Sequence, residues 1–248
     1  MSAIIHPSEA GHWYDIYGAP RYTVIGKNGK ERATTIRDAR EHGWLPSVTS
    51  ICRLAAAPGL QAWKERQVVL AALTHPGLTG TDADVELILA DAAEQAKKAR
   101  EAGTMVHAAL QSAYEDKPFA EEYLPHYLGT SYALKEWSGN IAWVAERSFA
   151  EPFLGYGGKC DLSSPTHVAD FKSTDKPLDG LRAWDEHAHQ LAAYRYGLGY
   201  PQAKCAIVYV HIVTGEARVI EVPEEELARG WDCFQALLAF WKAKTRKL

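Results

Sequence analysis

The chain is 248 residues long, with 47% apolar and 23% charged residues, an ordinary globular composition able to bury a sizeable core without staples. Its net charge of −4 excludes a uniformly basic nucleic-acid coat, yet leaves room for a local basic groove beside a carboxylate site. No apolar stretch reaches membrane-spanning length, and residues 1–15 lack a basic segment followed by an apolar run, so a cytoplasmic protein with no membrane partner is expected.

Residues 1–47 mix aromatic, Gly, Pro and charged residues, with one strand-like run at 22–25 ahead of a turn at 26–30. Ser47 or Thr49 is suited to cap a short helix through Leu54, and Pro58-Gly59 breaks the chain again. Helices are predicted over 60–73 and, after a loop at 75–82, over the Ala-rich stretch 85–102. Gly103-Thr104 reads as an interruption, with Thr104 capping a second helix that carries His107 in its first turn and runs to about Tyr114. Residues 119–137 read as helical and rich in aromatics.

From about Ile141 the pattern changes to short β-branched and aromatic runs at 141–150, 153–162 and 166–172. A helix over 181–199, an apolar strand over 203–212, a further strand at 218–222 and an amphipathic helix over 224–242 complete the chain. From Thr104 onward this is helix, three strands, helix, strand: an α/β sandwich with a central mixed sheet flanked by helices, preceded by a helical region. A helical region at 1–102 and a core with its carboxyl-terminal helix at 103–248, packed as one compact unit, are expected. Two basic clusters, Lys97/Lys98/Arg100 and Lys242/Lys244/Arg246/Lys247, read as a solvated helix face and a terminus.

The chemistry is concentrated in the predicted strands. Side chains alternate along a strand, so Asp170 and Lys172 share one face and Ala169 and Phe171 the other. On the preceding strand Asp161 opposes Cys160 and Leu162, which are both free to enter the core. The short link Ser163–Pro165 makes the two strands a hairpin, so that both carboxylates can converge on one hard cation, with Lys172 at hand to orient water or to offset charge on a phosphate. An Asp-x-Lys alone is usually a solvated ion pair; two carboxylates on consecutive strands carry more weight. On the helix that follows, Gln190 and Tyr194 stand four apart on one face. His187 and His189, two apart on that helix, point different ways and are discounted as a metal pair.

In chain order Gly103/Thr104/His107, Glu146, Gly158/Asp161, Asp170/Lys172 and Gln190/Tyr194 resemble the motifs of the PD-(D/E)XK nuclease superfamily, RecB-like branch. The predicted αβββαβ order resembles that superfamily's core. Leu45-Pro46-Ser47-Val48-Thr49 and Pro58–Trp63 are similar to phage-encoded exonucleases, and mitochondrial genome maintenance exonucleases are a further likeness. The resemblance implies metal binding by His107, Asp161, Asp170 and the backbone carbonyl of Phe171. It implies assistance to the nucleophilic water by Lys172, and positioning by Gln190 and Tyr194. Glu146 organises the site or pairs with Arg147 or Lys159. Thr104, Lys176, Arg195 and Tyr194 are candidate substrate contacts, and Trp63, Tyr114, Tyr123, Tyr127 and Trp137 are candidates for stacking on bases, although any one aromatic is more often core.

The implied cofactor is Mg²⁺ or Mn²⁺, one or two ions. Some relatives hold an iron–sulfur cluster with one upstream cysteine and three near the carboxyl terminus. Here the cysteines stand at 52, 160, 205 and 233, so no cluster is expected and all four read as buried small hydrophobes. The implied partner is DNA bearing an end, with a single-strand annealing or binding protein as a further partner. Rival readings are a double-strand exonuclease acting as a ring-shaped oligomer, a structure-specific endonuclease, and a non-catalytic nucleic-acid-binding or assembly protein retaining the fold.

Overall fold

A computed structural model describes residues 12–245 except 56, 57 and 76. Most of the stretch read for a signal segment, and the terminal Arg246 and Lys247, therefore lie outside the described residues. The amino-terminal part contains short strands β1 (Trp13–Tyr14), β2 (Thr23–Ile25) and β3 (Glu31–Ala33), helix α1 (Ile36–His42), strand β4 (Leu45–Pro46) and helix α2 (Val48–Cys52). β1 pairs with β4 and β2 with β3, both antiparallel. Ser47 is the α2 cap, its hydroxyl accepting the Ser50 N–H at 3.0 Å.

Two long helices follow, α3 (Pro58–Thr74) and α4 (Asp82–Tyr114). The expected interruption at Gly103-Thr104 does not occur. The hydroxyl of Thr104 donates to the Arg100 carbonyl within the helix at 2.9 Å, and the expected boundary at 102/103 falls inside α4. Gly103 serves another purpose: a Cβ there would stand 2.5 Å from Ser173 Oγ, so glycine lets α4 approach the sheet without turning that hydroxyl aside. Beyond it Val106 and Leu110 are buried, while before it α4 packs mainly on α3.

After α5 (Leu124–Ser138) come β5 (Val144–Glu151), β6 (Tyr156–Ser163), β7 (His167–Thr174), α6 (Asp185–Gly197), β8 (Lys204–His211), β9 (Ala217–Val222) and α7 (Glu224–Thr245). These strands form one mixed sheet in the order β5-β6-β7-β8-β9, with β7 and β8 parallel and the other pairs antiparallel. Helix α6 is shorter than the predicted 181–199. Trp184 is its cap, its N–H donating to His187 Nδ1 at 3.1 Å, and residues 181–184 precede the helix.

Each sheet face carries its own core. Val168, Cys205 and Ile207 meet Leu191 of α6 and Phe234 of α7, with Val48 and Ile51 of α2. Ala169, Phe171, Val208 and Val210 meet Val106 and Leu110 of α4 and Leu134 of α5. β8 is buried on both faces, which is why it reads as an unbroken apolar run rather than an alternation. Tyr114 and Tyr127 pack around Phe171, and Trp137 packs against Trp143 and His167; of the aromatics named for base stacking, Trp63 lines an open groove. Among the described residues no helix is long and apolar enough to cross a membrane.

Candidate active site

The β6–β7 hairpin opens into a fork. Its ladder pairs Leu162 with Ala169 and Ser163 with Val168, and the next facing positions would be Asp161 and Asp170. There the backbones part, and an Asp161 carboxylate oxygen takes the Phe171 N–H at 2.7 Å in place of a strand partner. A side chain thus satisfies a backbone donor that the fork would otherwise orphan.

The same point is a twist in the β5–β6 pair. Residues two apart on a strand should share a face. Yet Phe149 and Cys160 enter the α6/α7 core, whereas Ala145 and Leu162 pack on the α4/α5 side. The reversal falls where Glu146 faces Asp161, the one position missing from the ladder between Ala145–Leu162 and Arg147–Cys160. Glu146 takes up the twist with φ of 50°, a left-handed conformation that L side chains avoid at roughly 1–2 kcal/mol. The expectation that Cys160 and Leu162 enter one core is therefore corrected: they enter two, on opposite faces, and Asp161 sits at the crossing. Glu146→Gly is expected to be about 1 kcal/mol more stable than Glu146→Ala. Both lose the ion pair that Glu146 makes with Lys159, so the difference in urea unfolding isolates the backbone; equal stabilities would mean the position is unstrained.

Asp170 and Lys172 point to the α6 side, as strand alternation requires. Asp170 is 3% exposed. One of its oxygens is ion-paired with the Lys172 ammonium and the other accepts from Gln190 Nε2 at 2.8 Å. Lys172 also donates to Gln190 Oε1 at 3.3 Å, and Gln190 Nε2 reaches Tyr194 Oη at 2.9 Å. The helical spacing of Gln190 and Tyr194 thus becomes a chain of hydrogen bonds running back to the strand carboxylate. The motif glycine Gly158 has a packing reason as well: a Cβ there would stand 2.7 Å from the Phe149 ring and 3.1 Å from the Tyr194 ring.

Electrostatically the cluster is short of positive charge. Burial, reinforced by the Asp170 charge, pushes the Asp161 carboxyl well above the usual carboxylate range, against the opposing pull of Lys172 and the Phe171 N–H. Burial works against the Lys172 ammonium, but the neighbouring Asp170 and Asp161 outweigh it and hold its pKa above the ordinary lysine value. Burial lowers the His107 pKa despite the Asp170 charge, so the imidazole is neutral at pH 7 and has a lone pair to offer a metal. Its Nδ1 lies 3.8 Å from Asp161 Oδ2. Carboxylate oxygens and a neutral imidazole are a donor set that fits a hard divalent cation, and two carboxylates beside one ammonium favour added positive charge. Among the described residues no three His, Cys, Asp or Glu side chains are drawn round a single point; Asp170 turns its oxygens to Lys172 and Gln190.

The remaining expected residues divide. Lys176 lines an open groove of about 1030 Å³ together with Trp63, Arg182 and Trp184. Thr104 is exposed on α4 and bonded within its own helix. Arg195 is corrected: it is 1% exposed and gives a two-pronged pair to Glu224 at 2.7 and 2.8 Å, so its charge holds α6 to α7 and does not face a strand. His187 is buried as the capping partner of Trp184, and burial pushes its pKa down to about 4.

Fork, paired aspartates, lysine and glutamine define a carboxylate–lysine site set in a five-stranded α/β sandwich. No protein-family model and no curated protein matches the chain. Among solved structures it is similar to a candidate exonuclease from Eubacterium rectale, over 59% of this chain and 69% of that one, at 11% identity and a TM-score of 0.42. It is similar also to SSO0001, over 70% and 85% of the two chains, at 17% identity and a TM-score of 0.28. Likenesses this distant carry no argument about function, which rests on the geometry above.

Proposed function

We propose that the protein is a metal-dependent DNA exonuclease of the PD-(D/E)XK class, RecB-like branch, hydrolysing phosphodiester bonds from strand ends. The observation that carries this reading is the meeting of Asp161, Asp170 and Lys172 at the β6–β7 fork, tied to Gln190 and Tyr194 of α6. Asp161, Asp170, His107 and the Phe171 carbonyl would hold Mg²⁺ or Mn²⁺, which, when bound, supplies Lewis acidity toward a phosphate oxygen and lowers the pKa of a ligated water.

The chain's own residues do the rest. Gln190 holds Asp170 from one side while Lys172 holds it from the other, fixing the carboxylate's orientation. The Lys172 ammonium is kept charged by the two aspartates, and its one remaining N–H is free to orient a water for attack or to offset charge growing on the phosphate. Burial keeps Tyr194 a neutral phenol, able to donate to a substrate oxygen. The groove containing Trp63, Lys176, Arg182 and Trp184 offers ring faces and cations to a single strand, and α3 supplies Gly59, Leu60 and Trp63 to its wall.

End-labelled linear single- and double-stranded DNA and a closed circle, each in Mg²⁺ or Mn²⁺, test the reading. Linear DNA should be digested while the circle survives, with label release giving polarity. Digestion of the circle would make the enzyme an endonuclease. Intact DNA in both metals would overturn the catalytic assignment and leave a binding or assembly role.

A further inference from the structure

Helix α3 packs principally on α4, and Trp63, Gln67 and Ala71, four apart, are among its covered positions. A second stripe runs along its other side. Ala62, Arg66, Val69 and Leu73 follow one another at spacings of four, three and four, the period of a coiled-coil seam, with Leu70 next to it. Nothing within the described residues covers this stripe: Val69 is 58%, Leu70 43% and Leu73 73% exposed, and Ala62 and Arg66 are exposed too. A helix that is apolar on more than one side is expected to be buried on more than one side.

The stripe is its own complement. Laid antiparallel on a second α3 about a two-fold axis, Ala62 faces Leu73 and Arg66 faces Val69, in both copies at once. Small side chains then meet large ones at the two ends. The centre brings opposite charges together, because Arg66, opposite Val69 of the second copy, stands one helical turn from that copy's Glu65. Within one chain Glu65 accepts only an amide hydrogen, from Gln61 at 2.8 Å, and Arg66 has no carboxylate partner among the described residues. A single charged residue in an apolar seam sets register and the number of copies. Other occupants suit the surface less. Asp82, Asp84 and Glu86 open α4 at the same end of the helical hairpin as Leu73, and acidic groups there repel a DNA backbone and an anionic lipid surface alike. Size agrees with a second copy. With 17 residues α3 is about 25 Å long and about 10 Å across. Pairing along it covers roughly 500 Å² on each copy and roughly 1,000 Å² in all, the lower end for a specific interface.

We propose that α3 pairs antiparallel with α3 of a second copy of this chain, Ala62 against Leu73 and Arg66 beside Glu65, to form a reversible dimer. The modest area sets a dissociation constant of about 10 μM. No residue of the carboxylate site lies on α3, so the association needs neither metal nor DNA. Leu60 and Trp63 of the same helix line the open groove, and pairing therefore brings the grooves of the two copies together.

The test is sedimentation velocity of the whole protein, in EDTA and without DNA, from about 1 to about 200 μM. The sedimentation coefficient is expected to rise from that of a monomer to that of a dimer across this range and to stop there. Leu73→Glu puts a carboxylate into the seam twice and should weaken association about tenfold or more. Arg66→Glu gathers four like charges about the axis and should do the same. Glu65→Arg combined with Arg66→Glu restores opposite charges, and should return the dissociation constant to within about threefold of wild type. Far-UV circular dichroism of all three variants should match wild type, since each position is exposed in the monomer. A monomer at every concentration, a trimer or larger ring, or a dimer undiminished by both single variants overturns the proposal. So does a charge-swapped protein that stays monomeric.

Discussion

Asp161→Asn should abolish DNA hydrolysis, by about a thousandfold or more, and at the same time make the metal-free protein more stable. The loss follows from removing a charged oxygen from the proposed metal site at the point where it is needed. The gain follows from the surroundings. Asp161 is a carboxylate that burial and Asp170 both disfavour in its charged form, and the amide oxygen of Asn can still accept the Phe171 N–H. The sign is opposite to that of an ordinary ion-paired aspartate. A folded-state pKa above the unfolded value of about 4 means that folding favours the protonated form. Stability of the metal-free wild type therefore falls as pH rises from about 4 toward the raised folded value. Urea unfolding in EDTA should show wild type and variant alike at low pH and the variant ahead by about 1 kcal/mol or more at pH 8. Added Mn²⁺ should raise the unfolding midpoint of the wild type and not that of the variant. A variant that is less stable than wild type at pH 8 would show that the charge is not strained.

Lys172→Met should be equally inactive but should move stability the other way. Its ammonium is the partner of Asp170, and removing one member of a buried pair leaves the other uncompensated. Fully buried pairs lose about 3–5 kcal/mol in this way; because the Lys172 side chain keeps 31% exposure, about 2 kcal/mol is expected. The two variants make a matched pair. Both are inactive if the site is catalytic, yet the Asp161 variant gains stability and the Lys172 variant loses it. Two variants equally inactive because they failed to fold would not split in this manner. Retained hydrolysis in Lys172→Met, measured on the same end-labelled DNA, would remove the lysine from the mechanism.

Much of the site was legible along the chain because strand and helix geometry are local. Alternation alone places Asp170 and Lys172 on one face, and a spacing of four places Gln190 and Tyr194 together; both relations hold in the fold. The Ser47 cap and the run of three strands, helix and strand were equally readable, since caps and hydrophobic periods are written within a few residues. Long-range packing was not. Gly103 reads as a helix break by propensity, because glycine weakens helices wherever it stands. Only the nearness of Ser173, seventy positions on, shows it to be a point of contact between α4 and the sheet. Arg195 reads as a surface cation until Glu224 is found to hold it in the interior.

The residue types, their order and their local spacing were thus enough to single out the residues proposed above as carriers of the chemistry. Whether those carriers meet was decided in three dimensions. The fork at Asp161 and the left-handed turn of Glu146 both depend on how two strands diverge and on which distant segment fills the gap. Such arrangements arise from the twist of a whole sheet and the competition for its core, which no window of neighbouring residues records.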